Sequence, residues 1–188
     1  MARPRSDDKR NAVMAAAIQI IAAQGLSAPT ASIAKLAGVS NGSLFTYFET
    51  KADLYNQLYL QLKSEMAATT LEGLPAGQGI REQLLATWSN WLRWATTYPE
   101  KRRALVLLGA SDDITAFSHN IAHRQMAQVA HLLEKCREEG AMREAPLALV
   151  VALMAGLADA TIEVILNDPT NADTYRVIAF EALWRIVA

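Results

Sequence analysis

The stretch that decides the fold of this chain is Ile33-Ala34-Lys35-Leu36-Ala37-Gly38-Val39-Ser40-Asn41-Gly42-Ser43-Leu44-Phe45-Thr46-Tyr47-Phe48. Its apolar spacing predicts two short helices with a turn at Gly38, and Ser40 is a good N-cap for the second, over Asn41 to Phe48. Two short helices joined by a glycine-containing turn form a helix-turn-helix, whose second helix can enter a DNA major groove about 12 Å wide. Taken only as a helical pair, the stretch also fits an ordinary αα-hairpin.

The same residues, followed by Lys51 and Leu54, closely resemble the DNA-binding signature of the TetR family of bacterial transcriptional regulators. Phe45 replaces the usual tyrosine, and Pro29 stands where a threonine often opens the first of the two helices, which leaves Thr30 as the expected cap. The resemblance implies a three-helix helix-turn-helix DNA-binding domain over residues 1–50 and a helical ligand-binding and dimerisation domain over residues 51–188. It implies a repressor that a small-molecule effector releases from a double-stranded DNA operator.

The resemblance also assigns DNA-contacting residues, and the side-chain chemistry agrees with the assignment. The positions that match base-approaching places are Asn41, Gly42, Ser43 and Thr46, and those that match phosphate-touching places are Thr30, Tyr47 and Lys51. Asparagine can pair with adenine through two hydrogen bonds, and a lysine ammonium suits a phosphate. The charged N-terminal arm, with Arg3, Arg5, Lys9 and Arg10, is a further candidate phosphate contact or a solvated tail.

The charge composition of the chain limits the kinds of partner that it can bind. Its 188 residues include 18 Lys and Arg against 19 Asp and Glu, which excludes binding of nucleic acid or membrane by bulk positive charge. Residues 1–65 hold 7 basic against 5 acidic residues, whereas residues 66–188 hold 11 against 14, so any polyanion contact must be local to the N-terminal part. The single cysteine, Cys136, and the charged N-terminus favour a cytoplasmic protein.

Helical periodicity runs through nearly the whole chain and predicts an all-α fold of nine helices, as the resemblance also implies. The two helix-turn-helix segments are flanked by a helix over about 7–24 and by a long helix from Lys51, with Leu54, Leu58 and Leu62 on one face. After a Gly/Pro-rich loop at 71–79, the predicted helices span about 80–97, 99–109, 111–140, 146–166 and 171–188.

Predicted helix eight, over residues 146–166, is apolar on most of its surface. Asp159 and Glu163 interrupt it, so we expect a helix of a soluble protein and no membrane span. Its many small residues allow close helix approach, and we expect helices eight and nine to form a homodimer interface. Because such a dimer has two-fold symmetry, we expect its operator to be pseudo-palindromic. The two carboxylates either face solvent or an arginine, or provide a counter-charge to a cationic ligand.

Aromatic and methionine residues outside the motif point to an apolar ligand cavity, with core packing as the alternative. The candidates are Tyr59, Met66, Trp88, Trp91 and Met154. They suit a hydrophobic or cationic inducer, and the N-terminal half and the C-terminal ending resemble regulators of multidrug efflux. His119 and His123 lack a third metal ligand at clear spacing, so we expect no metal and no cofactor. The residues form no catalytic pattern, which leaves a helical protein–protein adaptor as the alternative to a DNA-binding regulator.

Overall fold

The computed structural model of the chain describes residues 4–75 and 77–188, with the side chains of all of these except residues 4–6 and 139. Within these ranges all regular structure is helical, so the all-α prediction is confirmed. The helices are α1 (Pro4–Gln24), α2 (Thr30–Leu36), α3 (Asn41–Leu44), α4 (Lys51–Thr70), α5 (Ile80–Thr97), α6 (Pro99–Gly109), α7 (Ala116–Gln125), α8 (Ala127–Glu139), α9 (Leu147–Asn167) and α10 (Ala172–Val187), with a 3-10 turn at Pro169–Asn171. Arg3 and the side chain of Arg5, both in the predicted basic arm, lie outside the described residues.

The chain divides into two compact units. The first unit combines Met1–Ser64 with Tyr98–Ala122. In it α1 packs against α2 and α6, and α2 packs against α3, around fully buried side chains that include Val13, Ile21, Ile33, Leu44 and Leu58. The motif predicts that the DNA-binding domain spans residues 1–50. This functional boundary differs in kind from a compact unit and stays a prediction.

The second unit combines Glu65–Thr97 with His123–Ala188. Helix α5 packs against α8, α9 and α10, and α9 also packs against α8 and α10. The core between them is apolar and aromatic, because each helix turns one apolar stripe inward. Its fully buried members include Leu84, Trp88, Leu92, Ile162 and Phe180.

The prediction of one long helix over residues 111–140 is wrong, since this segment holds two helices, α7 and α8. The N–H of Met126 bonds to the carbonyl of His123, three residues back, at 3.1 Å, and the chain turns there before α8 begins. The start is also later than predicted, because the hydroxyl of Thr115 accepts the N–H of Ser118 at 3.2 Å and caps α7 in place of Ser111.

Two further helix boundaries differ from prediction by their capping. Thr30 is the first residue of α2 and not its cap; Pro29 occupies the cap position in an extended conformation, as its ring favours, and its carbonyl accepts the N–H of Ser32 at 3.0 Å. Helix α3 ends at Leu44 and not at Phe48. The residues that follow form tighter turns, in which the N–H of Tyr47 bonds to the carbonyl of Leu44 at 3.0 Å.

Helix α9 is long and apolar enough to cross a membrane by length and composition alone, and a third of its most apolar window is buried. It packs into the second unit through one stripe that includes Val150, Ala158 and Ile162. The opposite face leaves Leu149, Val164 and Leu166 exposed at 46%, 48% and 39%. One helix of this kind is weak support for a membrane span, and its inward stripe fits a helix of a packed protein.

Candidate DNA-binding site

The turn between α2 and α3 depends on Gly38. This residue has a φ of +69°, a left-handed conformation that strains residues with a Cβ. The N–H of Gly38 bonds to the carbonyl of Lys35 at 3.2 Å, and the N–H of Val39 reaches the carbonyl of Ala34 at 3.0 Å. These bonds close α2 and direct the chain into α3.

Ser40 begins the second helix of the motif, as its position predicts. Its hydroxyl oxygen accepts the N–H of Ser43 at 3.0 Å and lies 2.8 Å from the Ser43 hydroxyl. The hydroxyl of Thr46 donates to the carbonyl of Ser43 at 2.7 Å. The short helix therefore has its first turn capped and its last turn tied by side chains.

The two faces of this segment differ in the way that base recognition requires. Leu44 is completely buried and Phe48 is 1% exposed, so they anchor the segment on the first unit. The predicted base-approaching residues lie on the other side, where Asn41, Gly42 and Thr46 are exposed and Ser43 is half-buried. Small polar groups on an anchored, exposed face can approach the edges of bases in a groove.

The predicted phosphate contacts fall in three different surroundings. Thr30, at the start of α2, and Tyr47, in the turn after α3, are both half-buried. Lys51 begins α4, and its ammonium donates to the carbonyls of Leu26 and Ala28, each at 2.8 Å. It thereby clamps the loop between α1 and α2, a structural role that sequence reasoning missed because it depends on contacts distant in sequence.

A polar chain of contacts, also missed from the sequence, ties α1 to α4. The guanidinium of Arg10 donates to the Gln57 side-chain oxygen at 2.6 Å and lies 5.5 Å from the ring centre of Phe48. Gln57 donates to the carboxylate of Asp53 at 2.8 Å, and the same carboxylate accepts the N–H of Glu49 at 3.0 Å. Of these features, only the start of α4 could be predicted from the sequence, because Thr50 precedes Asp53 by three residues, as in a helix cap. Its hydroxyl accepts the N–H of Asp53 at 3.0 Å.

The five predicted ligand residues are distributed over both units. Tyr59 lies on α4 in the first unit and is 3% exposed. The other four belong to the second unit: Met66, Trp88 and Met154 are buried, and Trp91 is half-buried. The rings of Trp88 and Trp91 meet edge to face at 6.4 Å, and the Trp88 indole N–H donates to the carbonyl of Arg176 at 3.0 Å.

In the part of the chain that the structure describes, no three histidine, cysteine, aspartate or glutamate side chains lie together in a way that could bind a metal ion. His119 uses its Nδ1 atom in a hydrogen bond with the hydroxyl of Tyr59 at 3.2 Å. Asp159 and Glu163 are both exposed. This placement gives no added support to their proposed role as a counter-charge inside an apolar cavity.

Known proteins match this chain in two ways, in the sequence of the motif and in the fold of the whole chain. The sequence profile described as "Bacterial regulatory proteins, tetR family" matches residues 13–58, from α1 into α4. A tetR family transcription regulator from Shewanella sp. PV-4 is 26% identical, with a TM-score of 0.84 over 96% of this chain and 98% of that one. The chain is thus similar to TetR-family regulators, in sequence over residues 13–58 and in fold over nearly its whole length. Both the profile and this structure are those of transcription regulators and not of enzymes.

Two other solved structures agree with this fold along nearly their whole length. A TetR family regulator from Marinobacter aquaeolei VT8 is 24% identical, with a TM-score of 0.86 over 99% of this chain and 98% of that one. FadR from Bacillus subtilis, in complex with stearoyl-CoA, is 17% identical, with a TM-score of 0.67 over 95% of this chain and 97% of that one. Both of these likenesses concern the fold alone.

Proposed function

We propose that this protein is a TetR-family repressor that binds a pseudo-palindromic operator as a homodimer and leaves it when a small effector binds. The observation that carries the DNA part is the anchored α3 segment, with Leu44 and Phe48 buried beneath it and Asn41, Gly42 and Thr46 exposed. We assign base contacts to Asn41, Gly42, Ser43 and Thr46, and phosphate contacts to Thr30, Tyr47 and Lys51. Phosphate contacts orient the protein, and base contacts select the sequence.

We propose that a second copy of the chain covers α9 and α10. These helices expose large apolar side chains that no described residue covers, among them Val164 at 48%, Val177 at 55% and Ile178 at 62%. A shallow apolar groove of about 300 Å³ runs between the helices, lined by residues such as Ala160 and Ala182 that allow close approach. Two such surfaces can pack as a four-helix interface around a two-fold axis.

For the effector, we propose that the cavity residues are Tyr59, Met66, Trp88, Trp91 and Met154. FadR, with its bound stearoyl-CoA, supports a ligand-responsive function for a chain of this fold. Regulation of multidrug efflux in the cytoplasm is the finer proposal, and it rests on the resemblance of the N-terminal half and of the ending from Asp168 to Arg185. Loss of this regulator should then raise transcription of a neighbouring transporter gene, measured by quantitative RNA analysis.

The test of DNA binding is a fluorescence anisotropy titration of the full chain against the DNA upstream of its own coding sequence, with a scrambled duplex of equal length. We expect an affinity at least about a thousandfold higher for the upstream DNA, and a decrease with rising salt. Asn41→Ala should reduce the preference, whereas Asn120→Ala, at an exposed asparagine on α7, should not. The absence of salt-sensitive binding to either duplex would support the protein–protein adaptor instead.

A further inference from the structure

A cluster of three polar side chains in the first unit has no part in the DNA-binding site. Tyr59 and Lys63 lie one turn apart on α4, and His119 lies on α7. The hydroxyl of Tyr59 is 3.2 Å from Nδ1 of His119, and the two rings meet edge to face with centres 5.3 Å apart. The Lys63 ammonium lies 5.8 Å from the centre of the Tyr59 ring. Tyr59 thus contacts an ammonium with its ring and an imidazole with its hydroxyl.

Lys63 differs from the other structural cations of this unit in lacking an acceptor. Lys51 donates to two carbonyls and Arg10 to a side-chain amide oxygen. Over the described ranges 4–75 and 77–188, Lys63 makes only the contact with the Tyr59 ring. Burial lowers the pKa of the Lys63 ammonium below its ordinary value. A partly desolvated charge without an anion or acceptor costs folding energy that a bound anion would recover.

The hydrogen-bonding capacity that the cluster leaves open consists largely of donors. Lys63 has three N–H groups and no acceptor atom. When the Tyr59 hydroxyl donates to Nδ1 of His119, the remaining ring nitrogen of His119 carries a hydrogen and is a second donor. A carboxylate, with a negative charge and two acceptor oxygens, complements donors of this kind. A cationic ligand is disfavoured at this cluster, because the Lys63 ammonium already lies over the Tyr59 ring and would repel it.

We propose that Lys63, Tyr59 and His119 form a binding site for the carboxylate of a small organic acid, and that this acid is the effector. The second half of the proposal rests on the function proposed above. It replaces the expectation of a cationic inducer while keeping Tyr59 in the ligand site.

The position of the cluster gives it a route to the DNA-binding elements. Lys63 lies twelve residues after the first residue of α4, about 18 Å along the helix axis at 1.5 Å per residue. That first residue, Lys51, holds the loop between α1 and α2. An anion that draws Lys63 and His119 toward itself therefore acts on the same helix that fixes the helix-turn-helix. Such a ligand shifts DNA affinity to the extent that it binds one arrangement of α4 more tightly.

The test is isothermal titration of the full-length protein with benzoate and octanoate, each against its neutral amide and its matching amine. At least one acid should bind at least tenfold more tightly than its amide, and neither amine should bind better than its amide. Lys63→Gln should remove the preference for the acid and Lys63→Arg should retain part of it, while Lys135→Gln, at an exposed lysine of α8, should leave it unchanged. Equal affinity for both acids and their amides, or an acid preference that survives Lys63→Gln, would overturn the proposal, as would inorganic phosphate binding as tightly as the preferred acid.

A second measurement reports on the charge of Lys63 itself. In ¹³C NMR of the side-chain carbons, the pKa of Lys63 should rise when the preferred acid is added, because a bound carboxylate stabilises the ammonium. An unchanged pKa would contradict direct contact. Operator release by the acid, followed by anisotropy, tests the effector role. Acid binding without DNA binding by the wild-type protein would refute the proposed function alone, and DNA binding without acid preference would refute this inference alone.

Discussion

Replacement of Lys51 by methionine separates its structural role from its proposed role at DNA. The variant keeps an apolar stem but loses both hydrogen bonds to the carbonyls of Leu26 and Ala28, each 2.8 Å long, and the ammonium contact at 5.4 Å from the centre of the Tyr55 ring. A hydrogen bond to a charged group contributes about 1.5–3 kcal/mol net in protected surroundings. Since this site is only partly buried, we expect the free energy of unfolding to fall by about 2 kcal/mol in total.

The assay is urea denaturation followed by far-UV circular dichroism, with Lys35→Met at an exposed lysine of α2 as the matched control. A loss of about 2 kcal/mol corresponds to a decrease in Tm of about 4–8 °C for a chain of this size. The control should change stability by less than about 0.5 kcal/mol. An equally small change in Lys51→Met would refute the clamp derived from these two hydrogen bonds.

The same variant tests the phosphate contact. If the ammonium also meets a phosphate, the slope of log affinity against log salt should become shallower by about one unit, and binding should weaken on all sequences alike. A loss of stability with an unchanged salt slope would mean that Lys51 acts only through the loop that it holds. That result would remove it from the proposed DNA contacts while leaving the clamp intact.

Three further changes test local features of the structure. Ser40→Ala removes the cap of α3 and should cost about 1 kcal/mol in urea denaturation; no loss would contradict the cap. Gly140→Ala would place a Cβ in steric clash with the carbonyl oxygen of Val187 and should cost about 1–3 kcal/mol in the same assay, so a neutral change would refute that close approach. The hydrogen bond from Tyr175, ahead of that from Asn171, lowers the pKa of the Asp168 carboxyl. The stability that this hydrogen bond gives should therefore be present above the ordinary aspartate pKa and be lost as the pH falls through the lowered pKa of Asp168. Tyr175→Phe should reduce this pH dependence in thermal scans, and an unchanged pH profile would exclude the bond.

Local signals in the sequence were enough to place the motif. Gly38 supplies the conformation of the turn, Ser40 the cap, and Leu44 with Phe48 the buried face, and each of these depends on residues only a few positions apart. The start of α4 is readable for the same reason, since Thr50 caps it within one turn. Family resemblance then supplied the function, which spacing alone left open between DNA binding and an ordinary helical pair.

The features that the sequence did not reveal depend on contacts between distant parts of the chain. Nothing in the residue pattern marks the turn at Met126, where no glycine or proline interrupts the predicted helix. Lys51 matches a phosphate contact in the motif, but its bonds to Leu26 and Ala28 exist only after α4 packs beside the loop. Lys63 gave no signal, because only the folded structure shows that no described residue provides an acceptor for its ammonium.

The most direct test of sequence-specific DNA binding by a dimer is selection of bound duplexes from a random DNA library by the full-length protein, followed by sequencing. The account predicts enrichment of an inverted repeat whose half-sites face one side of the duplex, and loss of that enrichment in Asn41→Ala. Recovery of unrelated sequences by the wild-type protein, or of a single half-site without its mirror copy, would contradict it.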